Sequence, residues 1–323
     1  MSPSVNDRLE AIGLAAVQGS ETTSLAREDV AMLLELAGAA LEIDPDYEKR
    51  AGYDPRFLGD VVGPFPSVTD PARVADLVLV GEEGDAELRY HHFSVVMSRS
   101  RRLAVVTAVN IDARKRLPVL RSADRWVFDA RIDQDLQTGD ELYMGNALDR
   151  GHLVRRQDPV WGDELAEGVA ANNDTFHFTN CAPQHSGFNQ SPLTWHGLED
   201  HILNNASSHE LKVSVFTGPV LADDDPVYRG VALPRQYWKV VVTVREDGSP
   251  SVTAYLLSQE QLIDDLAAEV FTFGAYRTFQ VPVLEIEKLT GLGFGDELRA
   301  ADPLILRAAA ARIEVGRFSD LVL

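Results

Sequence analysis

The sequence is short of several things, and each shortage narrows what it can be. Its 323 residues contain a single cysteine, Cys181, which excludes an intramolecular disulfide framework and any Cys-rich zinc or iron–sulfur cluster. Positive charge is scarce: 30 Lys+Arg stand against 50 Asp+Glu, a formal net charge of −20. That balance argues against a protein that coats nucleic acid through bulk positive charge, so any polyanion site has to be local. Runs such as 77–80 and 240–244 are strand-sized, and no apolar window approaches the roughly 18 residues of a membrane span. The N-terminal stretch lacks the basic start and apolar core of a signal peptide, and Asp7 and Glu10 speak against a mitochondrial presequence. The expectation is a cytoplasmic protein, or one exported by a route without a cleavable signal peptide, with no membrane partner.

The chain is long enough for one large domain or two modest ones. Residues 6–18 and 24–43 have helical periodicity, the second run opening at Ser24 and Glu28 and closing at Ile43-Asp44-Pro45. Up to Asp70 there are 13 acids and 5 bases, and the stretch 54–71 is rich in Pro and Gly. Residues 1–70 are therefore expected to be an acidic helical segment with a linker, a solubilising or dimerising cap, and 71–323 a separate folded domain. From residue 75 the pattern turns to short β-rich runs at 75–80, 90–97, 103–110, 212–217, 237–244 and 252–257. Helical patterns are fewer, at 189–207, 282–290 and 304–311. This is an α+β fold, a central mixed or antiparallel sheet with flanking helices, rather than regular βαβ.

Charge is redistributed inside that domain. Residues 95–160 hold 12 Lys/Arg against 9 Asp/Glu, with bases clustered as Arg99/Arg101/Arg102, Arg114/Lys115/Arg116 and Arg150/Arg155/Arg156. A phosphate backbone would be tolerated there. In the same region Asp149-Arg150-Gly151-His152 packs a carboxylate, a guanidinium, a flexible glycine and an imidazole into four residues. An imidazole titrating near pH 6.5 can deprotonate water at neutral pH, which makes His152 a candidate general base, with Arg150 able to pair bidentately with phosphate oxygens. Downstream, Asn180, Gln184 and Asn189 lie among apolar residues. Buried amides are costly unless paired, so these three either brace loops or offer oxygen to a ligand, and a carboxamide oxygen suits Mg²⁺. Were Asn189 to open a helix, Glu199 would fall on nearly the same face and the two could share a metal.

Asp149 to His152, followed by Asn180-x-x-Pro183-Gln184, Asn189-Gln190, Trp195 and Leu198-Glu199, resembles the DNA/RNA non-specific endonuclease family of the ββα-metal superfamily (endonuclease G-like). Fainter similarity continues through Thr217-Gly218-Pro219, Tyr237-Trp238-Lys239 and 286–292, so it spans roughly 90–295. The resemblance implies a ββα-metal finger as active site and an endonuclease that uses Mg²⁺, with Mn²⁺ as a substitute, to hydrolyse DNA and RNA to 5′-phosphate products. It assigns His152 as general base, Asn189 as the direct metal ligand, and Glu199 as the residue orienting metal-bound water. Arg150 would stabilise phosphorane charge and Asn180 would hold the active-site loop. From their own positions, Arg155 and Arg156, following the strand, read as phosphate binders, and Gln184 as a substrate contact. An upstream arginine near the phosphate is also implied; Arg121 and Arg125 compete for it, with Arg125 favoured. Between Asn189 and Glu199 the chain is about two residues longer than the secreted bacterial enzymes, so the helix is expected to begin later than Asn189.

The remaining candidates have plainer readings. His177, between Phe176 and Phe178, reads as a half-exposed strand residue, His185 as a loop residue near substrate, and Cys181 as buried packing. Trp195 and Trp238 read as core, and His196 and His201 sit on different helix faces. Two other functions compete with nuclease activity: a non-catalytic nucleic-acid or protein-binding module on the same fold, and a phosphodiesterase of small nucleotides. A nuclease without sequence preference requires restraint, and an inhibitor or immunity protein as partner, delivery by a specialised secretion machine and activation during phage defence all stay open; a homodimer is expected by analogy with relatives only.

Overall fold

The computed structural model describes residues 43–81, 84–119, 124–191, 195–208, 211–267, 277–305 and 312–315. The helices expected at 6–18 and over nearly all of 24–43 lie outside these residues, as does Arg121. In chain order the strands are β1 (Ser67–Val68), β2 (Glu87–Arg89), β3 (Phe93–Ser98), β4 (Leu103–Asp112), β5 (Leu148–His152), β6 (Cys181–His185), β7 (Lys212–Val220), β8 (Val227–Tyr228), β9 (Val231–Ala232), β10 (Gln236–Val244), β11 (Pro250–Ser258), β12 (Arg277–Val281), β13 (Leu292–Gly293) and β14 (Ile313–Glu314). Eight of them form one antiparallel sheet in the order β14-β12-β11-β10-β7-β4-β3-β2.

That sheet is covered on both faces, which is why its central strands read as near-continuous apolar runs rather than alternating ones. In β10, Trp238, Val240 and Val242 face one core, with Phe216, Leu256 and Ile286. Tyr237 and Val241 face the other, with Trp195, Leu198 and Leu203 of the helix Trp195–Ser208. By period two, Lys239 falls on this second face, paired in register with Thr217 and Tyr255. The helix Val283–Thr290 covers the first face and ends on Gly291 at φ 67°, a left-handed conformation that glycine adopts without a Cβ penalty.

Several expectations need correction. The stretch 54–71 is no free linker: Phe57, Leu58 and Val61, with Tyr53 just before it, are buried in the first core, and the Tyr53 ring meets Phe216 edge-on at 5.4 Å. Residues 75–80 make no extended strand, because the helix Pro71–Ala75 runs into them and leaves only isolated bridges at Leu77 and Val80. Leu304 and Ile305 sit in a turn after the helix Asp296–Ala300, and the rest of 304–311 lies outside the described residues. Two helices fall outside the expectations: Leu165–Asp174, which carries little helical periodicity, and Glu260–Ala267, whose Leu262, Ile263 and Leu266 do recur at helical spacing in the sequence.

Candidate active site

Away from the large sheet, β5 and β6 form a two-stranded antiparallel ribbon. A short helix, Ser186–Asn189, follows, and then the helix Trp195–Ser208. The ribbon carries Asp149-Arg150-Gly151-His152 along one strand. Gly151 lies tight against the facing strand: a Cβ there would run into the buried side chain of Gln184, which would have to shift. Beyond the strand, Asn180 clamps the chain. Its Oδ1 accepts from Val154 N at 2.8 Å, and its Nδ2 donates to Val154 O at 2.9 Å and Thr175 O at 3.0 Å. A buried carboxamide satisfied on both ends fixes the loop after His152.

His152 stands between two aromatic rings, Trp126 at 4.6 Å and Phe176, edge-on, at 5.0 Å. Its carbonyl accepts from Trp195 Nε1 at 3.2 Å, which ties the end of β5 to the first turn of the long helix. Ring and backbone are therefore held from different directions.

One helical turn further along, Glu199 is buried. Burial pushes its carboxyl up to about 7, against the opposing pull of the Lys239 ammonium and the Arg155 guanidinium, with Asp158 pushing the same way as burial. Lys239 Nζ lies 3.3 Å from Glu199 Oε1, and Arg155 Nε lies 4.0 Å from Oε2. Oε1 makes no aligned hydrogen bond, so the contact with lysine is an ion pair. Arg155 spends its outer nitrogen on Asp200, 2.6 Å away.

His152, Trp126, Trp195, Glu199 and Arg155 line one cleft of about 680 Å³, together with Asp124, Asp140, Arg156, Gln190 and His196. Asn189 and Gln190 both donate their side-chain amides to Asp149 Oδ2, at 3.0 and 2.8 Å. Holding the Asn189 nitrogen there turns its oxygen the other way. Among the described residues no three His, Cys, Asp or Glu side chains converge as a metal cage. Mg²⁺ does not need one, since it keeps several waters and takes one or two hard oxygen ligands. An oriented carboxamide oxygen with Asp149 and Glu199 in the same cleft fits that donor set.

His152, Arg150, Asn189, Glu199, Arg155 and Arg156 are thus brought together around the cleft, although Asn189 ends a separate short helix and does not open the long one. Arg150 is paired with Asp140, and Arg156 donates to Asn172 at 2.8 Å. Gln184, buried within β6, and Asn180, buried just before it, do not line the cleft, and Arg125 is exposed outside its lining. His177 is fully buried rather than half-exposed, because Tyr47 Oη meets its Nε2 at 2.8 Å and the Asp174 carbonyl its Nδ1 at 2.8 Å. His185 is also buried, its Nδ1 accepting from Gly187 N. Cys181 packs in the core and donates to Tyr143 Oη, burial pushing its thiol up to about 12. Of the other basic clusters, Arg101 is taken up by Asp225 and the Ala222 and Ala232 carbonyls, and Lys115 by Asp163.

Sequence reasoning gave no role to three lining or underlying residues: Trp126, Asp140 and Lys239. Lys239 had a usable signal, a lone charge inside the apolar run YWKVVV of a central strand. Asp140 and Trp126 had none: Asp140 opens a one-turn helix, Asp140–Leu142, and Trp126 sits in irregular chain just before the isolated bridge at Val127.

The sequence profile of the DNA/RNA non-specific endonuclease family matches residues 72–301. An uncharacterized protein, y4fB, of Sinorhizobium fredii is 40% identical over 270 residues, covering 79% of this chain and 40% of that protein. Human mitochondrial endonuclease G is 27% identical over 164 residues, 47% of this chain and 50% of its own length. The chain thus spans half or less of these relatives. Among solved structures, EndoG in its complex with EndoGI aligns with a TM-score of 0.49 at 20% identity, covering 67% of this chain and 86% of that one.

Proposed function

Because the chain belongs to the DNA/RNA non-specific endonuclease family, we propose that its cleft hydrolyses phosphodiester bonds of DNA and RNA, with His152 as general base and a hydrated Mg²⁺ held by Asn189. The observation that carries this reading is the convergence of His152, Asn189, Glu199 and Arg150 on one cleft from three separate elements. Mg²⁺, when bound, supplies a positive charge beside the scissile phosphate that offsets negative charge growing on its oxygens. The protein's own residues do the rest. His152 takes the proton from an attacking water; the new P–O bond forms as the bond to the 3′-oxygen breaks, leaving a 5′-phosphate and a 3′-oxyanion that takes a proton from solvent water to become the 3′-hydroxyl. Arg150 exchanges Asp140 for a non-bridging phosphate oxygen, and Arg155 and Arg156 line the path of the backbone. Nothing in this set reads a base edge or needs a 2′-hydroxyl, so sequence selectivity is not expected.

The test is digestion of plasmid and total RNA by wild type and His152→Ala with Mg²⁺, Mn²⁺ or excess chelator. His152→Ala is expected to lose at least about 10²-fold in rate, the lower end of a positioned general base, while melting like wild type. Full activity in that variant, or undiminished cutting in chelator, removes the reading. Saturable binding without strand breaks would replace it with a binding module.

A further inference from the structure

Lys239 is the strongest unexplained feature near the site. It sits mid-strand in the centre of the eight-stranded sheet, about 1% exposed, on the face that carries Tyr237 and Val241 into an apolar core. A buried ammonium there is costly unless paired and hydrogen-bonded. All of its polar partners lie at or beside the site. Nζ donates to the carbonyl of Leu153, the residue after His152, and to Thr217 Oγ1, both at 3.3 Å. It lies 3.3 Å from Glu199 Oε1 and 4.1 Å from the centre of the Trp195 ring, whose own Nε1 holds the His152 carbonyl.

The two limbs of the cleft come from elements far apart in the chain: the end of β5 and the helix Trp195–Ser208. Lys239 touches both and belongs to neither. Resting on the nuclease reading above, we propose that Lys239 is a positioning residue for hydrolysis, fixing Glu199 against the backbone that follows His152 so that base and carboxylate keep one separation. It touches neither substrate nor metal; it acts through Glu199 and the Leu153 carbonyl. Misplacement of a reacting group by about 1 Å can cost on the order of 10²-fold in rate, so the effect belongs in kcat rather than in KM.

The experiment compares wild type, Lys239→Met, Glu199→Gln and the double variant. Initial rates on a defined duplex give kcat and KM, and urea unfolding in EDTA gives stability without metal. Methionine keeps the unbranched shape of the stem and removes the charge. Lys239→Met is expected to lower kcat by about 100-fold while KM stays within about threefold, and the double variant to be no slower than Glu199→Gln alone. In EDTA Lys239→Met, which leaves the buried Glu199 carboxylate without its cation, is expected to unfold at lower urea than wild type, and the double variant at higher urea than Lys239→Met. The role is overturned if folded Lys239→Met keeps wild-type kcat, or if the two kinetic losses multiply in the double variant. Should Lys239→Met fail to fold, the double variant, which removes both buried charges, carries the decision. An inactive wild type sinks the nuclease reading and this role with it, whereas an active wild type matched by an equally active Lys239→Met sinks this role alone.

Discussion

Two buried carboxylates in this protein, Asp174 and Glu199, have similar surroundings on paper and opposite chemistry. Each is shielded from solvent and each faces basic side chains. Burial alone would raise Asp174, but hydrogen bonds from His91 and Arg50 outweigh it and hold the carboxyl at about 2. Arg50 meets it with Nε at 2.9 Å and Nη2 at 2.8 Å, and His91 adds its backbone N at 3.0 Å and Nδ1 at 2.7 Å. Burial raises Glu199 as well, and there Lys239 and Arg155 only partly offset it, leaving the carboxyl at about 7. Geometry separates the two: short aligned donors saturate Asp174, while the ammonium beside Glu199 is off axis and the guanidinium stands 4.0 Å away. The first arrangement is a fastener. The second keeps an under-satisfied carboxylate beside a cleft, which is how a site retains a group ready to engage a ligand.

The largest expected effect tests the fastener. Arg50 belongs to the N-terminal stretch and Asp174 to the end of the helix Leu165–Asp174, so their ion pair joins residues 43–61 to the loop that carries Phe176 against His152. A chain begun at residue 71 strips Arg50 from Asp174, which costs about 3–5 kcal/mol for a broken buried pair, and also removes the buried Tyr53, Phe57 and Leu58 at about 1.5–3 kcal/mol each. That sum reaches the total stability of a typical domain, about 5–15 kcal/mol. Circular dichroism and urea unfolding should find the chain from 71 unfolded and a chain from 43 folded. A cooperative, native-like transition in the chain from 71 would show that Asp174 needs no partner from upstream.

That result bears on what could be read from the sequence. The antiparallel α+β core was legible because β4, β7, β10 and β11 are long, β-branched and bounded by turns. The cleft was legible because DRGH, Asn189 and Glu199 each place a chemically capable residue next to structural markers such as Gly151 and Trp195. The N-terminal anchor was not legible. Tyr53, Phe57 and Leu58 are scattered among Asp, Pro and Gly with no period, and Arg50 and Asp174 stand 124 positions apart, so neither betrays its partner. Composition described 54–71 as a linker, and tertiary packing decided otherwise. His177 failed for the same reason: its alternation with phenylalanines matched a strand, but its burial depends on Tyr47, 130 positions away.

A smaller effect separates the two carboxylates by sign. Asp174, held below its unfolded value, contributes stability that is present above about pH 4 and lost as pH falls through about 2, on the order of 2 kcal/mol. Glu199, held above its unfolded value, costs nothing below about pH 4.5 and on the order of 3 kcal/mol above about pH 7. His92, His177 and His185, whose pKa values burial lowers, instead lose stability as pH falls. The measurement is therefore the urea midpoint of a variant minus that of wild type in metal-free buffer. Glu199→Gln should remove a decline between pH 4.5 and 7, and Asp174→Asn should flatten the acid limb. If Glu199→Gln parallels wild type across that window, the contrast between the two carboxylates collapses.

The smallest effect concerns a third pair, at the mouth of the cleft, where solvent screens what burial sharpens elsewhere. Arg150 Nε donates to Asp140 Oδ1 at 2.7 Å, and the Asp140 side chain is 57% exposed. An exposed pair of this kind is worth about 0.2–1 kcal/mol, so it can be exchanged for a phosphate at little cost. Asp140→Asn should lower KM for duplex substrate by about 1.5–5-fold, the same energy expressed as affinity. Little change in kcat is expected, because in the proposed mechanism Arg150 meets the phosphate in either case. The gain should shrink between 50 and 200 mM salt, since screening already weakens the competing carboxylate. A KM that rises instead would mean that Asp140 aligns Arg150 for substrate rather than competing for it, and would place this exposed pair with the fastener at Asp174.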